Sequence, residues 1–350
     1  MTEETLPKYQ IIQQEILSAI EAGHYQNKLP SERALAERFG FSYMTVRKAI
    51  NNLVLQGVLY KVPQKGIFVQ HQQVNPLKQT IGYFLDQQIK EGIASPYYSM
   101  IYQALVTEAA KHNVKVVYFS DAQLQQFNAL FESLDGVIAT CLPHNEALIA
   151  EIKRALPLVV IDNASEDKTI PSVIIDNFTA DYNTVKYLAE MGHTTIGFMS
   201  GLIDSDVGQN RFRGYKYAML DLTLPLEDKF IYMGNYSFES GKEGAEYFLG
   251  LDTLPSAIIC ANDSMALGAI QTFQNAGVKI PEQISIIGFD DIHVASQVSP
   301  ALTTVAAPIN EIAYHAFKNL NCLIHKQPLT MQHIALSATI KQRRTCQYRH

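Results

Sequence analysis

Cysteine is scarce in this 350-residue chain, and the four present (Cys141, Cys260, Cys322 and Cys346) form no Cys-x-x-Cys pair. Neither a zinc cage nor a disulfide framework is available to organise the fold, and a reduced, intracellular setting is expected. No apolar run is long enough to cross a bilayer, and the opening MTEETLPKYQ lacks the basic stretch and apolar core of a secretory signal. The expected location is therefore the cytoplasm, with no membrane partner. Also missing are the Gly-x-x-x-x-Gly-Lys phosphate loop, the Gly-x-Ser-x-Gly nucleophile elbow and the His-Glu-x-x-His metal helix, so no catalytic residue, metal or cofactor is expected. A charged content of 18% beside 47% hydrophobic residues excludes disordered, collagen-like and coiled-coil chains and leaves a globular protein of two or three domains.

Charge is unevenly spread: residues 1–79 carry a net +3 and residues 80–350 a net −9, within the overall −6. A basic head on an acidic body points to a polyanion partner for the head alone. In that head Ile12, Ile16 and Ile20 recur four apart, the spacing of a helix with one buried face, and Gly23 is placed to end it. Ser31 is placed to cap a second helix through Leu35 and Phe39 that stops at Gly40. Ser42 is placed to cap a third, lined inside by Val46, Ile50 and Leu53 and closed at Gly57. So short a turn between helices is helix-turn-helix spacing. Residues 58–62 and 67–69 follow as strands around Pro63-Gln64-Lys65-Gly66, a hairpin with a basic tip, which makes the unit a winged helix.

With Val46, Ile50 and Leu53 turned inward, Met44, Lys48 and Asn51 face outward and Thr45, Arg47 and Asn52 flank them. Such a face suits a major groove, where Arg reaches guanine edges while Lys and Ser hold phosphates; Arg33 and Lys65 suit the second role. Taken singly these are ordinary solvated charges. Three ordered helices followed by a basic wing make double-stranded DNA the expected partner.

The segments LPSERALAERFG, FSYMTVRKAI, NNLVLQGVLY and KGIFV resemble the DNA-binding domain of the GntR regulator family. That resemblance implies contacts to DNA from Lys8, Arg33, Ser42, Tyr43, Met44, Thr45, Arg47, Lys48, Lys65 and Gly66, the glycine because the wing backbone approaches the duplex closely. Two positions depart from the family pattern. Tyr43 stands where Arg is usual, and Asn27-Lys28 where a glycine precedes the LPSER segment, so the resemblance does not carry over an operator sequence.

Residues 71–79 are polar and aperiodic and contain Pro76, the character of a linker between domains at 1–70 and 80–350. Beyond it, nearly all-apolar runs at 81–85, 114–119, 137–139, 158–161, 196–199, 257–260 and 284–289 alternate with helical patterns. Strands buried on both faces and separated by helices predict parallel sheets, and the length predicts two lobes with a cleft between them. Ligands of such sheets bind at the carboxyl ends of strands. Asp162, Asn262-Asp263 and Asp290-Asp291 directly follow apolar runs, Tyr97 opens a helix after the first run, Tyr236 lies in the loop before another, and Arg211 is read at the start of the RFRGY helix. Aromatic faces stack on a sugar or base, carboxylates and amides bond hydroxyls, and Arg orients the whole ligand. Structural roles stay open for each: Asp162 and Asp263 as helix caps, Tyr97 and Tyr236 as core aromatics, Arg211 with Asp290 as an ion pair between lobes. His193 is expected to be structural, and the adjacent Asp290 and Asp291 are expected to point different ways rather than act as an acid–base pair.

The strings VVIDN, PSVIIDN, YLAEMGHTTIGFMSG, RFRGYKYAM, SAIICANDSMALGAI, IPEQISIIGFDDI and SPALTTVAAP resemble the effector domain of the LacI/GalR regulator family, itself similar to periplasmic sugar-binding proteins. The resemblance implies effector contacts from Tyr97, Asp162, Arg211, Tyr236, Asn262 and Asp290, and dimerisation through this domain. That family's own head and hinge helix are replaced here, and the fusion resembles the arabinose-repressor type of bacterial regulator. The expected fold is an N-terminal winged helix-turn-helix followed by a two-lobed, periplasmic-binding-protein-like α/β domain with parallel sheets. The expected function is a sugar-responsive transcriptional repressor that binds a palindromic operator as a homodimer and is released by a mono- or small oligosaccharide in the interlobe cleft. A purine, nucleoside or other small-metabolite effector, including a corepressor, remains the alternative; an enzyme acting on a small metabolite is the reading from another class.

Overall fold

The computed structural model describes residues 8–349 apart from 22, 26, 56–57, 63–64, 70–78, 88, 90, 121–130 and 141–144. Gly57, Pro63, Gln64, Cys141 and the expected linker up to residue 78 lie outside the described residues. Two units divide the chain, Met1–Lys78 and Gln79–His350.

The first unit holds α1 (Lys8–Glu21), α2 (Glu32–Phe39), α3 (Tyr43–Leu55), β1 (Leu59–Val62) and β2 (Gly66–Val69). Short-range chemistry sets its boundaries. The Ser31 hydroxyl accepts the Ala34 N–H at 3.2 Å to open α2, and Gly40 closes it with φ +69. Ser42 does the same for α3, accepting the Thr45 N–H at 3.3 Å. Ile12 and Ile16 of α1, Leu35 of α2 and Val46, Ile50 and Leu53 of α3 meet Leu59, Ile67 and Val69 of the wing in one core. β1 and β2 are antiparallel, with Val62 opposite Gly66, whose φ of +118 is a conformation open to glycine alone at little cost.

The second unit runs β3 (Gln79–Leu85), α4 (Pro96–Ala110), β4 (Val114–Ser120), β5 (Gly136–Thr140), α5 (Glu146–Ala155), β6 (Leu158–Ile161), β7 (Ser172–Ile175), α6 (Asn177–Glu190), β8 (Ile196–Ser200), α7 (Asp206–Asp221), β9 (Ile231–Met233), α8 (Phe238–Leu249), β10 (Ala257–Cys260), α9 (Asp263–Asn275), β11 (Ser285–Asp290), β12 (Thr303–Ala306), α10 (Ile309–Ile324), β13 (His333–Leu336) and β14 (Thr339–Lys341). Its strands form two six-stranded sheets, ordered β13-β7-β6-β5-β3-β4 and β14-β12-β11-β10-β8-β9. Every neighbouring pair is parallel except β12 with β14. The chain crosses from one sheet to the other after β7, β12 and β13. The two lobes and parallel sheets expected from the sequence are both present.

All residues of β5, β6, β10 and β11 are buried, which is why these strands read as continuous apolar runs. In the first lobe Ile81, Tyr83 and Leu85 pack against α4 and α10, while Phe84, Val137 and Val160 face α5. In the second, α8 and α9 lie so close that a Cβ at Gly241 would stand 2.0 Å from the Met265 carbonyl oxygen and one at Gly268 2.1 Å from that of Phe238. This contact fixes the loops before both helices, which belong to the cleft.

Candidate functional site

In the first unit, α3 buries Val46, Ile50 and Leu53 and exposes Tyr43, Met44, Arg47, Lys48 and Asn51, as its periodicity predicts. Arg33 on α2, Lys65 and Gly66 on the wing, Lys8 on α1 and the capping Ser42 are also exposed; Thr45 is half-buried, its hydroxyl 2.7 Å from that of Ser42. Some of the outward groups are held from within. Lys61 of the wing donates to Glu32 at 2.6 Å and to Asn51 Oδ1 at 2.8 Å. Lys48 lies over the Tyr9 ring, 4.4 Å from its centroid. The Lys61 link ties the wing to the third helix and leaves the Asn51 amide nitrogen pointing away from it.

In the second unit a cavity of about 520 Å³ lies at the carboxyl ends of both sheets. Tyr97, Asp162, Arg211, Tyr236, Asn262 and Asp290 all line it. Asp162 leaves β6 in the left-handed region with φ +69, and the Tyr97 hydroxyl donates to its Oδ1 at 2.8 Å. No helix follows Asp162, so it caps none. Tyr236, also left-handed at φ +69, lays its ring where a Cβ at Gly201 would be 2.0 Å away. Asp290 ends β11 at φ +110, almost fully buried. Three strained positions around one cavity are the pattern of a site held in place by its surroundings.

Arg211 corrects the expectation from sequence. It is not at a helix start: α7 begins at Asp206, with the Ser205 hydroxyl accepting the Gly208 N–H at 3.1 Å, and Arg211 is buried in the second turn. Its Nε–H donates to Asn177 Oδ1 at 2.8 Å, a terminal N–H donates to the Ala261 carbonyl, and its face covers the Phe289 ring at 3.4 Å. No ion pair joins it to Asp290 among the described residues. Asn262 lines the cavity and is also a cap: its Oδ1 accepts the Met265 N–H at 2.9 Å and its amide donates to the Tyr236 carbonyl at 2.9 Å. Asp263 is structural, accepting the Ile292 N–H at 2.9 Å and the Thr304 hydroxyl at 2.5 Å. So is His193, buried between the Ser256 hydroxyl at 3.0 Å and the Gln347 carbonyl at 3.1 Å. Asp291 turns away to pair with Lys341 and Arg343.

Burial raises the Asp162 carboxyl, against the Tyr97 and Tyr98 hydroxyls and Arg211, which lower it. Burial also pushes Asp290 well above the usual carboxylate range, with Arg211 opposing and Asp263 and Asp162 adding. Sequence reasoning missed Asn163, Asn177 and Asp204 in the lining, and Asp181 behind it. Asp181 is 1% exposed, neither of its oxygens has a hydrogen-bond partner, and burial drives it up to about 7 against Arg211. Asn177 stands inside the quoted PSVIIDN string and Asp181 one helical turn later on the same face, the available signal for both.

Residues 8–69 match the model of bacterial regulatory proteins of the gntR family, and residues 185–346 match the periplasmic binding protein-like domain. The HTH-type transcriptional repressor CytR of Escherichia coli (strain K12) is 33% identical over 232 residues, 64% of this chain and 68% of that protein. PurR of Aliivibrio salmonicida is 32% identical over 57% of this chain and 61% of its own length, and the ribose operon repressor of Haemophilus influenzae 31% over 55% and 58%. Among solved structures, the transcription regulator CcpA of Lactococcus lactis superposes with a TM-score of 0.68 at 25% identity, covering 77% of this chain and 99% of that one. The Escherichia coli repressor ascG gives 0.67 at 26%, with coverage of 77% and 99%. These relatives are transcriptional regulators and not enzymes. With its two-lobed body and gntR-type head, the chain belongs to the LacI/GalR family of transcriptional regulators.

Proposed function

We propose that the chain is a cytoplasmic, sugar-responsive repressor that binds a palindromic operator as a homodimer and is released when a mono- or small oligosaccharide fills the cleft. Residues 1–70 are the DNA-binding head, 71–79 the linker and 80–350 the effector-binding and dimerisation domain. One observation carries the reading: six side chains picked from separate sequence segments converge on a single cavity fed by both sheets. Tyr97 and Tyr236 offer ring faces, Asp162 and Asp290 accept hydroxyls, and Arg211 is held rigidly beside them. A relative named for the ribose operon agrees with such a ligand.

The first lobe supplies Tyr97 and Asp162, and the second Arg211, Tyr236, Asn262 and Asp290. A ligand held by both stabilises the closed cleft, and closure changes how two subunits present their heads to half-sites about one helical turn apart. A coupling of ~1–3 kcal/mol suffices to change occupancy. At the operator, Arg47 is assigned to base edges, Arg33, Lys8 and Lys65 to phosphates, and the remaining exposed α3 residues to the groove wall.

To test this, duplexes selected by the purified protein from fragmented DNA are used in gel retardation with and without a panel of free sugars. Release by one sugar at saturable concentration is the expected result. Occupancy that no metabolite changes, or failure to retain any duplex, would overturn the proposal.

A further inference from the structure

The cations of the first unit differ in how far they are already committed. Lys61 of β1 donates to Glu32 and Asn51, Arg38 donates to the Tyr25 hydroxyl at 2.8 Å, and Lys48 lies over the Tyr9 ring. Lys28 is exposed, and among the described residues its ammonium makes no hydrogen bond and no ion pair.

Backbone bonds set its place. The Leu29 N–H donates to the Ile67 carbonyl at 2.9 Å, the Val69 N–H donates to the Asn27 carbonyl at 3.1 Å, and Lys28 forms an antiparallel bridge with Phe68. Residues 27–29 therefore lie along β2 as a short third strand of the wing. Alternation along the strands separates its two lysines. Lys61, opposite the buried Ile67, reaches inward to α2 and α3, whereas Phe68, opposite the exposed Tyr60, belongs to the outer face. Lys28 lies over the Phe68 ring, its Nζ 5.6 Å from the centroid, and that ring stacks on Tyr60 at 5.4 Å. The stem is thus held before a partner arrives, which reduces the side-chain freedom that binding must remove.

The ammonium end lies at the wing turn. A Cβ at Gly66 would stand 3.0 Å from Lys28 Cε and 3.6 Å from its Nζ, and Gly66 follows the exposed Lys65. Residues 27–29 and both wing strands contain no acidic residue, and Glu32 of α2 is spent on Lys61. An uncommitted ammonium presents three donors and no acceptor, which suits phosphate oxygens and carries no preference for one base over another.

We infer that Lys28 is a phosphate-binding residue of the head, holding the duplex backbone beside the wing turn and adding affinity without reading sequence. The inference rests on the proposed operator-binding role of the head. It divides the work of the wing: Lys28 and Lys65 grip the backbone, while Lys61 braces the wing against α2 and α3.

Salt titrations of DNA binding by fluorescence anisotropy test it, on the full chain with the selected duplex and with an unrelated one. Lys28→Gln keeps a stem over Phe68 and removes the charge; Lys28→Arg keeps both. One phosphate contact contributes about 0.9 to the slope of log affinity against log salt, so the advantage of the parent over Lys28→Gln should narrow about threefold from about 50 to about 200 mM salt. The loss should be equal on both duplexes, and Lys28→Arg should keep the slope of the parent. An unchanged slope in Lys28→Gln, or a loss confined to the selected duplex, would overturn the inference while leaving DNA binding standing. If the parent retains neither duplex even at low salt, the operator-binding role itself fails, and the inference falls with it.

Discussion

Asp181→Asn offers a test in which the sign of the effect depends on pH. The side chain sits inside α6 with no partner for either oxygen, and burial drives it from an ordinary 3.8 up to about 7, with Arg211 opposing. Over that interval the native state keeps a proton that the unfolded chain has released, so stability falls as pH rises from 3.8 to about 7 and levels off above it. At about 1.4 kcal/mol per pH unit, burying this carboxyl costs the fold on the order of 4 kcal/mol at pH 8, where it is ionised, and on the order of 2 kcal/mol at pH 5, where it must hold a proton the unfolded chain has released. Asparagine keeps the shape, cannot ionise and, like the protonated acid, leaves its polar atoms buried. The variant should therefore unfold at higher urea than the parent, with a gain at pH 8 about twice that at pH 5. As the chain contains no tryptophan, far-ultraviolet circular dichroism is the suitable probe. An equal difference at both pH values, or a less stable variant at pH 8, would refute the reasoning and mean that Arg211 holds Asp181 ionised.

Three further outcomes are expected. Arg47→Ala, on the exposed face of α3, should weaken binding to the selected duplex by ~1–3 kcal/mol in gel retardation and leave ligand-induced thermal shifts unchanged. Asp290→Asn keeps the shape of the residue at φ +110 but exchanges one carboxyl oxygen for an amide nitrogen that cannot accept, and by calorimetry should lower effector affinity by ~0.5–1.5 kcal/mol without loss of DNA binding. Gly201→Ala places a methyl group 2.0 Å from the Tyr236 ring, so the ring must swing out of the cavity; the effector concentration needed to release DNA should rise while retardation without effector is unaltered.

What the sequence revealed follows the range of the interactions concerned. Ser31 and Ser42 were legible as caps because a cap bonds three residues along its own chain. The face of α3 was legible because one period orders thirteen consecutive residues. Strands β7, β9, β12, β13 and β14 were not: they are three or four residues long and, unlike the equally short β6 and β10, are not buried throughout, so no continuous apolar run marks them. Arg211 was misplaced because RFRGY looks like a beginning, while the Ser205 hydroxyl that starts the helix lies six residues earlier. Asp181 could not be found by composition. An acid in TADYN reads as solvated, and its burial arises only because α6 and α7 touch where Gly214 stands: a Cβ there would meet the Phe178 carbonyl oxygen at 2.3 Å.

The same distinction separates the two halves of the site. At the first unit, outward position on a helix is nearly the whole argument, since a groove needs only side chains on one face, and the sequence supplies that directly. At the cleft, position along the chain identifies strand ends but not what each group is free to do. Asn262 illustrates the difference. It sits at a strand exit as predicted, yet both ends of its amide are bound, to the Met265 N–H and to the Tyr236 carbonyl. Its first effect is therefore on Tyr236, whose left-handed backbone it holds under a ring that faces the cavity. Arg211 is likewise bonded before any ligand arrives. Capacity to spare remains at the second terminal nitrogen of Arg211 and at the carboxyl groups of Asp162 and Asp290, both raised by burial, one contributed by each lobe. A ligand whose hydroxyls donate to both relieves the cost of burying them only when the lobes stand close enough to share it. On the proposed polyol-binding reading, recognition of hydroxyls and closure of the cleft are one event, coupled by the carboxyl groups that face each other from the two lobes.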